Sequence, residues 1–499
     1  MARRFRSWLL LLAPTLCLWA AAAGAAPKAG LTWSGFFESI NRATIEGPSE
    51  FNYNENVLGL EVTAIPTGMA MVYGSLHLVN IGIDERVDDH TLTIDQQQDR
   101  SQTDPVRLEL DEAYLQVSGL GVKDLDLKIG KQRIQWGTGD QFNPTDNLNP
   151  DDLHDPLRFG AKVPTPALQA QYFLGQSTFT AVLVPLFEPA LLPRTDVRPI
   201  FEKQFAEMSS SFQIDTGDAV LDSLFDSMIG PALDGASLGS VNIHGTLPDK
   251  TPRNMNYGLK FASNFGPIDF SISYAYVRDD FGVPKRITMT VAPLSGDSGK
   301  LIDTVDVDVE NAFPREHVIG GDYSANVPAL DIGVWGEVAF FIPESMETTY
   351  VLDAGTEFNR LFGGIARRDL ENGVVIAKDK PLEDNFFKAV AGLDYTFPGA
   401  IYINTQYVHG FPNESTAEAI SDYQFLMIDR PFLNDAIKPR LNALYCYTDQ
   451  SFVIYPEVYF FPYDAIEISL GTFHIFGEID TSFGQFGHDF AFLRAKATF

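Results

Sequence analysis

Residues 58–78 read LGLEVTAIPTGMAMVYGSLHL, and their pattern decides the fold. The first half opposes Leu58, Leu60, Val62 and Ala64 to Gly59, Glu61 and Thr63. The second half opposes Ala70, Val72, Leu76 and Leu78 to Tyr73, Ser75 and His77. Apolar residues at every second position, on both sides of Pro66-Thr67-Gly68, predict two β-strands joined by a tight turn.

The same period of two recurs along the chain. Further strands are predicted where Ala113, Leu115 and Val117 oppose Glu112, Tyr114 and Gln116, and where Ile466, Ile468 and Leu470 oppose Glu467 and Ser469. Alternation with charge on one face fits a barrel that is apolar towards lipid and polar towards a wet lumen. A soluble β-sandwich gives the same alternation, so other features have to separate the two.

The connections between predicted strands alternate in length. Tight links fall at 66–68, 119–121, 175–176, 264–266, 327–328 and 397–399, and long connections at 80–107, 135–166, 187–253, 279–315 and 343–384. Outer-membrane barrels alternate short periplasmic turns with long external loops, and a sandwich has no reason to do so. We predict an all-β fold, a transmembrane antiparallel up-and-down barrel of about 16 to 18 strands with 18 favoured. The prediction also includes a strand at 423–429 and a hairpin extension at 286–310.

The N-terminus predicts export. Arg3, Arg4 and Arg6 precede an apolar stretch and the small residues Ala23-Gly24-Ala25, which is the pattern of a secretory signal peptide. We expect residues 1–25 to be cleaved and residues 26–499 to form a single barrel domain in the outer membrane, reached through the periplasm. After Ala25 no uninterrupted apolar run is long enough for a transmembrane helix.

Composition excludes several classes of protein. The formal net charge of −30 argues against nucleic-acid binding, which requires a basic face. The two cysteines are Cys17, inside the predicted signal peptide, and Cys446, so the processed chain has no disulfide framework or cysteine-based metal site.

The last eight residues, FLRAKATF, place Leu493, Ala495, Ala497 and Phe499 on one face and Arg494, Lys496 and Thr498 on the other. This strand resembles the C-terminal signal of Gram-negative outer-membrane proteins. The resemblance implies recognition by the barrel-assembly machinery.

A second resemblance lies in residues 130–153, GKQRIQWGTGDQFNPTDNLNPDDL. It resembles a signature of uncharacterised proteobacterial porin-like barrels, carried here by Gly130, Lys131, Gln132, Trp136, Gly137, Asn143, Pro144 and Asp146. The segment SGFFESINR near the start and the C-terminal strand resemble the same group. The resemblance implies an outer-membrane channel or an export component, without naming a solute.

The signature segment predicts an ordered loop, because prolines and Asn/Asp residues fix its turns. One hypothesis folds it into the barrel, where it narrows the lumen and presents Asp140, Asp146, Asp151 and Asp152 to solutes. A second is a structural Ca²⁺ site within 139–155, since Ca²⁺ takes oxygen ligands of this kind. The third is turn structure on the outer surface. No other cofactor is expected.

Charged residues on the predicted inner face are lumen candidates. They are Glu61, Glu112, Asp126, Lys128, Asp269, Lys388, Asp394, Glu467, Arg494 and Lys496. Charges in a water-filled channel bias which solutes enter, and the excess of acid predicts a mild preference for cations or neutral solutes. Alternatively, these residues pair with one another and hold the wall together.

The long segment 187–253 breaks the β-pattern. Apolar residues recur at helical spacing at Phe201, Phe205, Met208 and Phe212, and again at Val220, Leu221, Leu224, Phe225 and Met228. Two amphipathic helices need an apolar surface to cover. They are expected to cap or plug the barrel, to form a vestibule for a hydrophobic cargo, or to pack on each other and on residues 357–365.

No enzyme is expected. The chain has no HExxH or P-loop pattern, no histidine is followed two residues later by Ser, and Asp88-Asp89-His90 lies in a polar loop. The favoured function is a porin-like diffusion channel. Alternatives are the outer-membrane component of an export system for a hydrophobic or lipid-like molecule, and a structural or adhesive surface protein. Expected partners are outer-membrane lipid and lipopolysaccharide, an inner-membrane transporter for the export function, and two further copies in a homotrimer.

Overall fold

The computed structural model describes residues 30–45, 50–82, 105–192, 223, 237–291, 304–353 and 374–499. Within them we number 23 strands in chain order. Eighteen strands form one antiparallel sheet. No helix in this part of the chain is long and apolar enough to cross a membrane.

The barrel strands follow one another round the ring. They are β1 (Gly30–Thr44), β2 (Phe51–Thr67), β3 (Ala70–Ile81), β4 (Val106–Ser118), β5 (Leu125–Gln132), β6 (Thr165–Leu174), β7 (Ser177–Val184), β9 (Asn256–Phe265), β10 (Ile268–Arg278), β13 (Arg315–Val327), β14 (Ile332–Pro343), β17 (Phe386–Phe397), β18 (Ile401–His409), β19 (Asp422–Asp429), β20 (Ile437–Cys446), β21 (Phe452–Tyr463), β22 (Ile466–Phe476) and β23 (Phe490–Thr498). Each pairs antiparallel with the next barrel strand.

The last strand closes the ring on the first. Strand β23 pairs with β1 from Phe36↔Thr498 to Thr44↔Phe490. At the end of this seam, the amides and carbonyls of Gly35 and Phe499 exchange hydrogen bonds of 2.8 and 2.9 Å. The predicted closed barrel of 18 strands is therefore confirmed, including the predicted strand 423–429, which lies in β19.

The alternation of connection lengths is also observed. Two residues join β2 to β3, β6 to β7, β9 to β10 and β21 to β22 at one end of the barrel. The connections at the other end include 133–164 and three that carry extra strands. Because an antiparallel ring places every second connection at the same end, the start of β1 and the end of β23 lie at the end with the short turns.

The outward face is apolar, as the alternation predicted. Leu58, Leu60 and Val62 of β2 and Leu76 and Leu78 of β3 are all exposed. Positions between them face the interior and are smaller or polar. This is the distribution that a lipid-embedded barrel requires.

Strand β4 contains a β-bulge. Leu110 and Ala113 pair with residues two apart on β3, so Asp111 and Glu112 stand together opposite Ser75. A bulge adds one residue and re-aims side chains locally. Here it turns two successive carboxylates towards the interior while the apolar residues on either side stay on the outward face.

Three long connections build a second, five-stranded sheet. Its strands, in spatial order, are β16 (Val374–Asp379), β15 (Thr348–Asp353), β11 (Val283–Val291), β12 (Thr304–Ala312) and β8 (Ser237–Thr246). Met289, Val305 and Val351 are almost fully buried on it. The possible hairpin extension at 286–310 is therefore a hairpin, but it belongs to this sheet and not to the barrel.

Two single-turn 3-10 helices, Pro252–Asn254 and Gly484–Phe486, complete the described elements. The predicted signal peptide, the helices predicted within 201–228 apart from residue 223, and Asp88-Asp89-His90 lie outside the described residues. The barrel interior holds two clusters of buried apolar side chains, one on β18 to β23 and one on β6 to β17. Residues of the connection 133–164 belong to both clusters.

Candidate functional site: a loop across the lumen

The connection 133–164, called the crossing loop below, enters the barrel as soon as β5 ends. Arg133 donates to both carboxylate oxygens of Asp111 at 2.8 and 2.7 Å. The Arg133 amide donates to Glu112 at 2.7 Å. The bulge of β4 therefore supplies the two acceptors that turn the chain inward.

Buried Asn149 ties the two ends of the crossing loop together. Its amide group donates to the carbonyls of Gln132 and Val163 at 3.1 and 3.0 Å. Its side-chain oxygen accepts from the amide of Ile134 at 2.6 Å. These hydrogen bonds hold the two ends of the crossing loop next to each other where the loop leaves β5 and returns to β6.

Glu337 on β14 holds the middle of the crossing loop. Its carboxylate, 4% exposed, accepts hydrogen bonds from the amides of Thr138 (3.0 Å), Gly139 (3.2 Å) and Thr145 (2.7 Å). The Thr145 hydroxyl adds a fourth bond of 2.8 Å. A buried carboxylate is stable only where several donors surround it, and this arrangement supplies them.

Gly137 allows this approach. Its φ is +91°, a conformation that L side chains rarely adopt. A β-carbon there would lie 2.3 Å from a Glu337 carboxylate oxygen. Glycine is therefore required by both the backbone conformation and the space available, which gives the Trp136-Gly137 pair of the signature a physical reason. The Trp136 ring in turn packs against Gly258 of β9, where a β-carbon would meet the ring at 2.6 Å.

The far side of the loop is bonded to β18. Gln406 donates to the carbonyl of Asp140 at 2.7 Å and accepts from its amide at 3.2 Å. Asn404 donates to the Asp140 carboxylate at 2.6 Å. A chain segment inside a barrel has no neighbouring strand to bond its backbone amides and carbonyls. Gln406 supplies both partners for the backbone of Asp140.

Phe142 forms what we call the aromatic anchor. It stacks on Phe411 with ring centroids 5.2 Å apart, and Phe411 stacks on Tyr423 at 3.7 Å. Phe142 also contacts Phe425 of β19 edge-on. Strands β5 and β19 are the fifth and fourteenth of the 18 barrel strands. The crossing loop therefore spans the lumen from one wall to the opposite one.

Acidic and basic side chains form what we call the charged anchor, beside β10, β13 and β17. Lys162 pairs with Asp151 at 2.8 Å and donates to the carbonyl of Asp146 at 2.8 Å. The amide of Asp151 donates to Asp280 at 2.6 Å. Glu316 and Lys388 line the same space from the wall.

Burial shifts the protonation of this anchor. It raises the pKa of Asp146 to about 7, against the opposing effect of Lys162. Burial and the charge of Asp151 raise the pKa of Asp280 to about 7, and burial raises that of Asp279 to about 6. Burial disfavours charge on Lys162, but the carboxylates of Asp151 and Asp146 outweigh it and raise its pKa.

The end of the crossing loop returns to β1. Asp155 pairs with buried Arg42, and Arg158 pairs with Glu38 at 2.8 Å. Glu38 also pairs with Arg494 of β23. The loop thus contacts the wall at β1, β14, β18 and β19 as well as beside β10 and β17.

The four predicted loop carboxylates lie in different environments. Asp140 is exposed and Asp152 is half-buried, whereas Asp146 and Asp151 are buried in the charged anchor. A role of these residues towards solutes stays a prediction. So does Ca²⁺: in the described part of the chain no group of three or more His, Cys, Asp or Glu could hold a metal ion.

Several predicted lumen charges contact neighbouring side chains or amides of the wall. Lys128 lies 3.8 Å from the Tyr114 ring centroid, and Lys496 lies 4.9 Å from that of Phe36. Asp394 accepts from the Gly333 amide at 3.1 Å and from the Tyr402 hydroxyl at 3.0 Å. The remaining contacts are Ser34 to Glu61, Arg133 to Glu112, Gln116 to Asp126, Lys388 to the carbonyl of Pro412, and Arg494 to Glu38.

Two predicted lumen charges differ from the others. Asp269 is exposed next to the turn between β9 and β10, and Glu467 is half-buried at the start of β22. Both lie at the end with the short turns. Neither contacts the crossing loop through a hydrogen bond or an ion pair that the structure describes.

The signature residues place the crossing loop. The Lys131 ammonium donates to the carbonyl of Leu110 at 2.7 Å, and Gln132, fully buried, donates to that of Ala167 at 2.9 Å. Gly130 packs its backbone against Ala113 and Tyr114. Asn143 and Pro144 offer carbonyls to the Asp146 amide and the Asn147 side chain at 3.0 and 2.7 Å.

The C-terminal residues lie where the barrel closes. Leu493 and Phe499 are exposed, and Ala495 and Ala497 lie between them on β23. Recognition of this strand by the assembly machinery stays a prediction.

Ser75, His77 and Asp111 are brought together without forming a catalytic relay. Ser75 lies 3.4 Å and Asp111 4.0 Å from the same nitrogen, His77 Nε2. A relay needs the hydroxyl and the carboxylate on different ring nitrogens. Asp111 instead accepts hydrogen bonds from Arg133, so this cluster holds the start of the crossing loop in place.

Sequence reasoning missed the groups that hold the loop from outside it. Glu337, Asp280 and Phe411 come from three distant parts of the chain. The basic residues inside the loop offered a usable signal, because Arg133, Arg158 and Lys162 each bind a carboxylate.

The fold and site define a closed antiparallel β-barrel whose lumen is crossed by the connection between its fifth and sixth strands. The chain belongs to the family described as "Protein of unknown function (DUF1302)", whose sequence model matches residues 40–427. No curated protein matches the chain significantly.

Solved structures that resemble this one include those of three bacterial proteins. OccAB3 of Acinetobacter baumannii is 10% identical with a TM-score of 0.46, covering 95% of this chain and 99% of that one. OccK8 (OprE) of Pseudomonas aeruginosa is 10% identical with a TM-score of 0.45, covering 94% and 98%. OmpF of Salmonella typhi, in complex with daunomycin, is 8% identical with a TM-score of 0.36, covering 94% and 97%.

Proposed function

We propose that this protein is a porin-like solute channel of the Gram-negative outer membrane, narrowed by the crossing loop. The apolar outward face and the closed ring support a site in lipid. The polar inner face supports a water-filled path. The short-turn end, which carries the start of β1 and the end of β23, faces the periplasm in this proposal, and the second sheet lies on the outer side.

The observation that carries the proposal is the crossing loop itself. A loop held by buried side chains on opposite walls sets the cross-section available to a solute. Selectivity then depends on the groups left exposed in the remaining passage, among them the Asp140 carboxylate. Because the wall and loop carry more acid than base, cations and neutral solutes are favoured over anions.

Single-channel recording in planar bilayers tests the proposal. The unmodified protein is expected to give stable conductance steps. Glu337→Ala removes the acceptor of four loop hydrogen bonds and is expected to raise the step size. The matched control is Glu418→Ala, a change at an exposed position of the connection between β18 and β19, which is expected to leave the step unchanged. Absence of steps from the unmodified protein and from Glu337→Ala would contradict the proposal.

A second candidate is an export component for a hydrophobic or lipid-like molecule. It is favoured by the apolar cluster inside the lumen on β18 to β23, to which Phe142 and Phe159 of the crossing loop contribute. A water-filled channel does not require an apolar inner surface, whereas a hydrophobic cargo would bind to these side chains once the crossing loop is displaced. Lipid identified by mass spectrometry in the purified protein, together with no conductance, would favour this candidate.

A further inference from the structure

The charged anchor encloses a cavity of about 50 Å³ between the crossing loop and the wall. That volume is enough for a few water molecules. The cavity is lined by five carboxyl groups, Asp146, Asp151, Asp279, Asp280 and Glu316, and by the basic groups Lys162, Lys388 and Arg278. The lining therefore carries two more acidic than basic groups.

The basic groups do not neutralise this lining evenly. Lys162 pairs with Asp151. Lys388 donates to the carbonyl of Pro412 at 2.9 Å. The Arg278 guanidinium donates away from the cavity, to Phe313 and Asn254. The acidic excess is thus concentrated on Asp146, Asp280 and their neighbours.

Asp146 supplies an independent observation. Its side chain is 4% exposed, and its Oδ1 has no hydrogen-bond partner within the described part of the chain. The Trp136 amide donates to the same carboxyl group. An ionised oxygen buried without a donor is costly, and a bound proton removes that cost.

We propose that this cavity is a proton-binding site that controls how firmly the crossing loop is seated in the lumen. Protons bind to the buried carboxyl groups of the seated loop and neutralise the acidic excess. When the loop leaves the wall, water and counter-ions solvate the same groups and the protons are released.

The charged groups around the site set the sign of the effect. Asp146 faces Asp151 and Lys162 of the loop and Glu337 of β14. Asp279 and Asp280 face Asp151, Lys162, Glu316 of β13 and Lys388 of β17, and Glu414 faces Lys388 from the connection between β18 and β19. The closest cation, Lys162, stays charged throughout, because its pKa is raised.

The seated loop therefore holds protons that a solvated carboxyl group would lose. Burial raises the pKa of Asp146 and Asp280 from the usual range to about 7. Proton-linked seating is fully present below the ordinary carboxyl pKa and is lost as the pH rises from about 4 to about 7. Each carboxyl group weakens seating by up to about tenfold per pH unit in that window.

Hydrogen exchange of peptides from 133–164, in detergent-solubilised full-length protein, tests this without relying on conduction. Rates are corrected for the pH dependence of intrinsic exchange. Protection of the loop is expected to fall at least about tenfold between about pH 5 and about pH 8. The double variant Asp146→Asn/Asp280→Asn is expected to remove most of that dependence, because only the smaller contribution of Asp279 remains, and each single variant to remove part of it. The control Asp464→Asn, in the exposed turn between β21 and β22, keeps the unmodified behaviour.

Two results would overturn the inference. One is equal protection of the unmodified loop at both pH values. The other is restoration of protection at about pH 8 by millimolar CaCl₂, which would make the cavity a metal site. Heat-modifiable migration on gels confirms that each variant is a folded barrel. A pH-dependent loop in a protein that never conducts would leave the inference standing and reject the channel.

Discussion

The aromatic anchor holds the crossing loop by hydrophobic packing, whereas the charged anchor holds it by ion pairs and hydrogen bonds. Phe142 is buried among aromatic rings on the β19 side, where no ionisable group of the loop takes part. On the β10 side, Lys162 and five carboxyl groups meet in a small polar cavity. Hydrophobic burial does not depend on pH, whereas a buried charge cluster does. We infer that the first anchor keeps the loop in the lumen and the second adjusts how tightly.

Phe142→Ala is the largest expected perturbation. Truncating a buried Phe costs about 3–5 kcal/mol, and here the cost falls on loop seating, because the ring packs on Phe411 and Phe425. Hydrogen exchange of 133–164 is expected to speed up to the same extent at low and neutral pH. Phe265→Ala, at a side chain that is 80% exposed, is the control and leaves exchange unchanged. A strongly pH-dependent effect of Phe142→Ala would break the comparison between the two anchors.

Lys162→Met is expected to rank second. Breaking a buried ion pair costs about 3 kcal/mol or more, because Asp151 is left without its partner. The cost is expected to be largest at about pH 8 and smaller at about pH 5, where protonated carboxyl groups no longer need the cation. Loop exchange at the two pH values measures the difference.

The matched control for that change is Lys378→Met, whose exposed pair with Glu347 contributes under about 1 kcal/mol. A Lys162→Met cost that is equal at both pH values would show that the charged anchor does not respond to protons.

Combining Phe142→Ala with Asp280→Asn sharpens the comparison further, since the two anchors share no residue and their effects are expected to add.

Arg158→Gln is expected to have the smallest effect. The Arg158 side chain is 39% exposed, and its pair with Glu38 is screened by solvent. A loss below about 1 kcal/mol that shrinks further in high salt is expected, measured as loop exchange at two ionic strengths. A loss as large as that of Phe142→Ala would mean that the return of the loop to β1 is a third major anchor.

The barrel was predictable because its evidence is local. Alternation in segments such as 58–64, and the parity of short and long connections, follow from strand geometry alone. The five-stranded sheet was not predictable in this way. Its parallel pairings, β11 with β15 and β12 with β8, join segments that are far apart in sequence. The residue pattern within one strand does not indicate which distant strand it pairs with.

The site was half predictable. The prolines and the signature glycines of 130–153 indicated an ordered loop, and the structure confirms that order. The partners were not foreseeable, since Glu337 resembles any other inner-face carboxylate until three amides from 138–145 approach it. Asp146 and Asp151 also illustrate the limit: the sequence shows acid residues in a loop, but only the fold buries them against Lys162.

Glu337 and the loop residues that it bonds are far apart in sequence. This separation has a consequence for the assembly of the barrel. Thr145 and Thr138 are bound by a residue 192 and 199 positions later. Contacts between remote segments form late, because the intervening chain must be ordered first. The hydrogen bonds of Glu337 to the crossing loop therefore cannot form until the sheet includes its eleventh strand, β14.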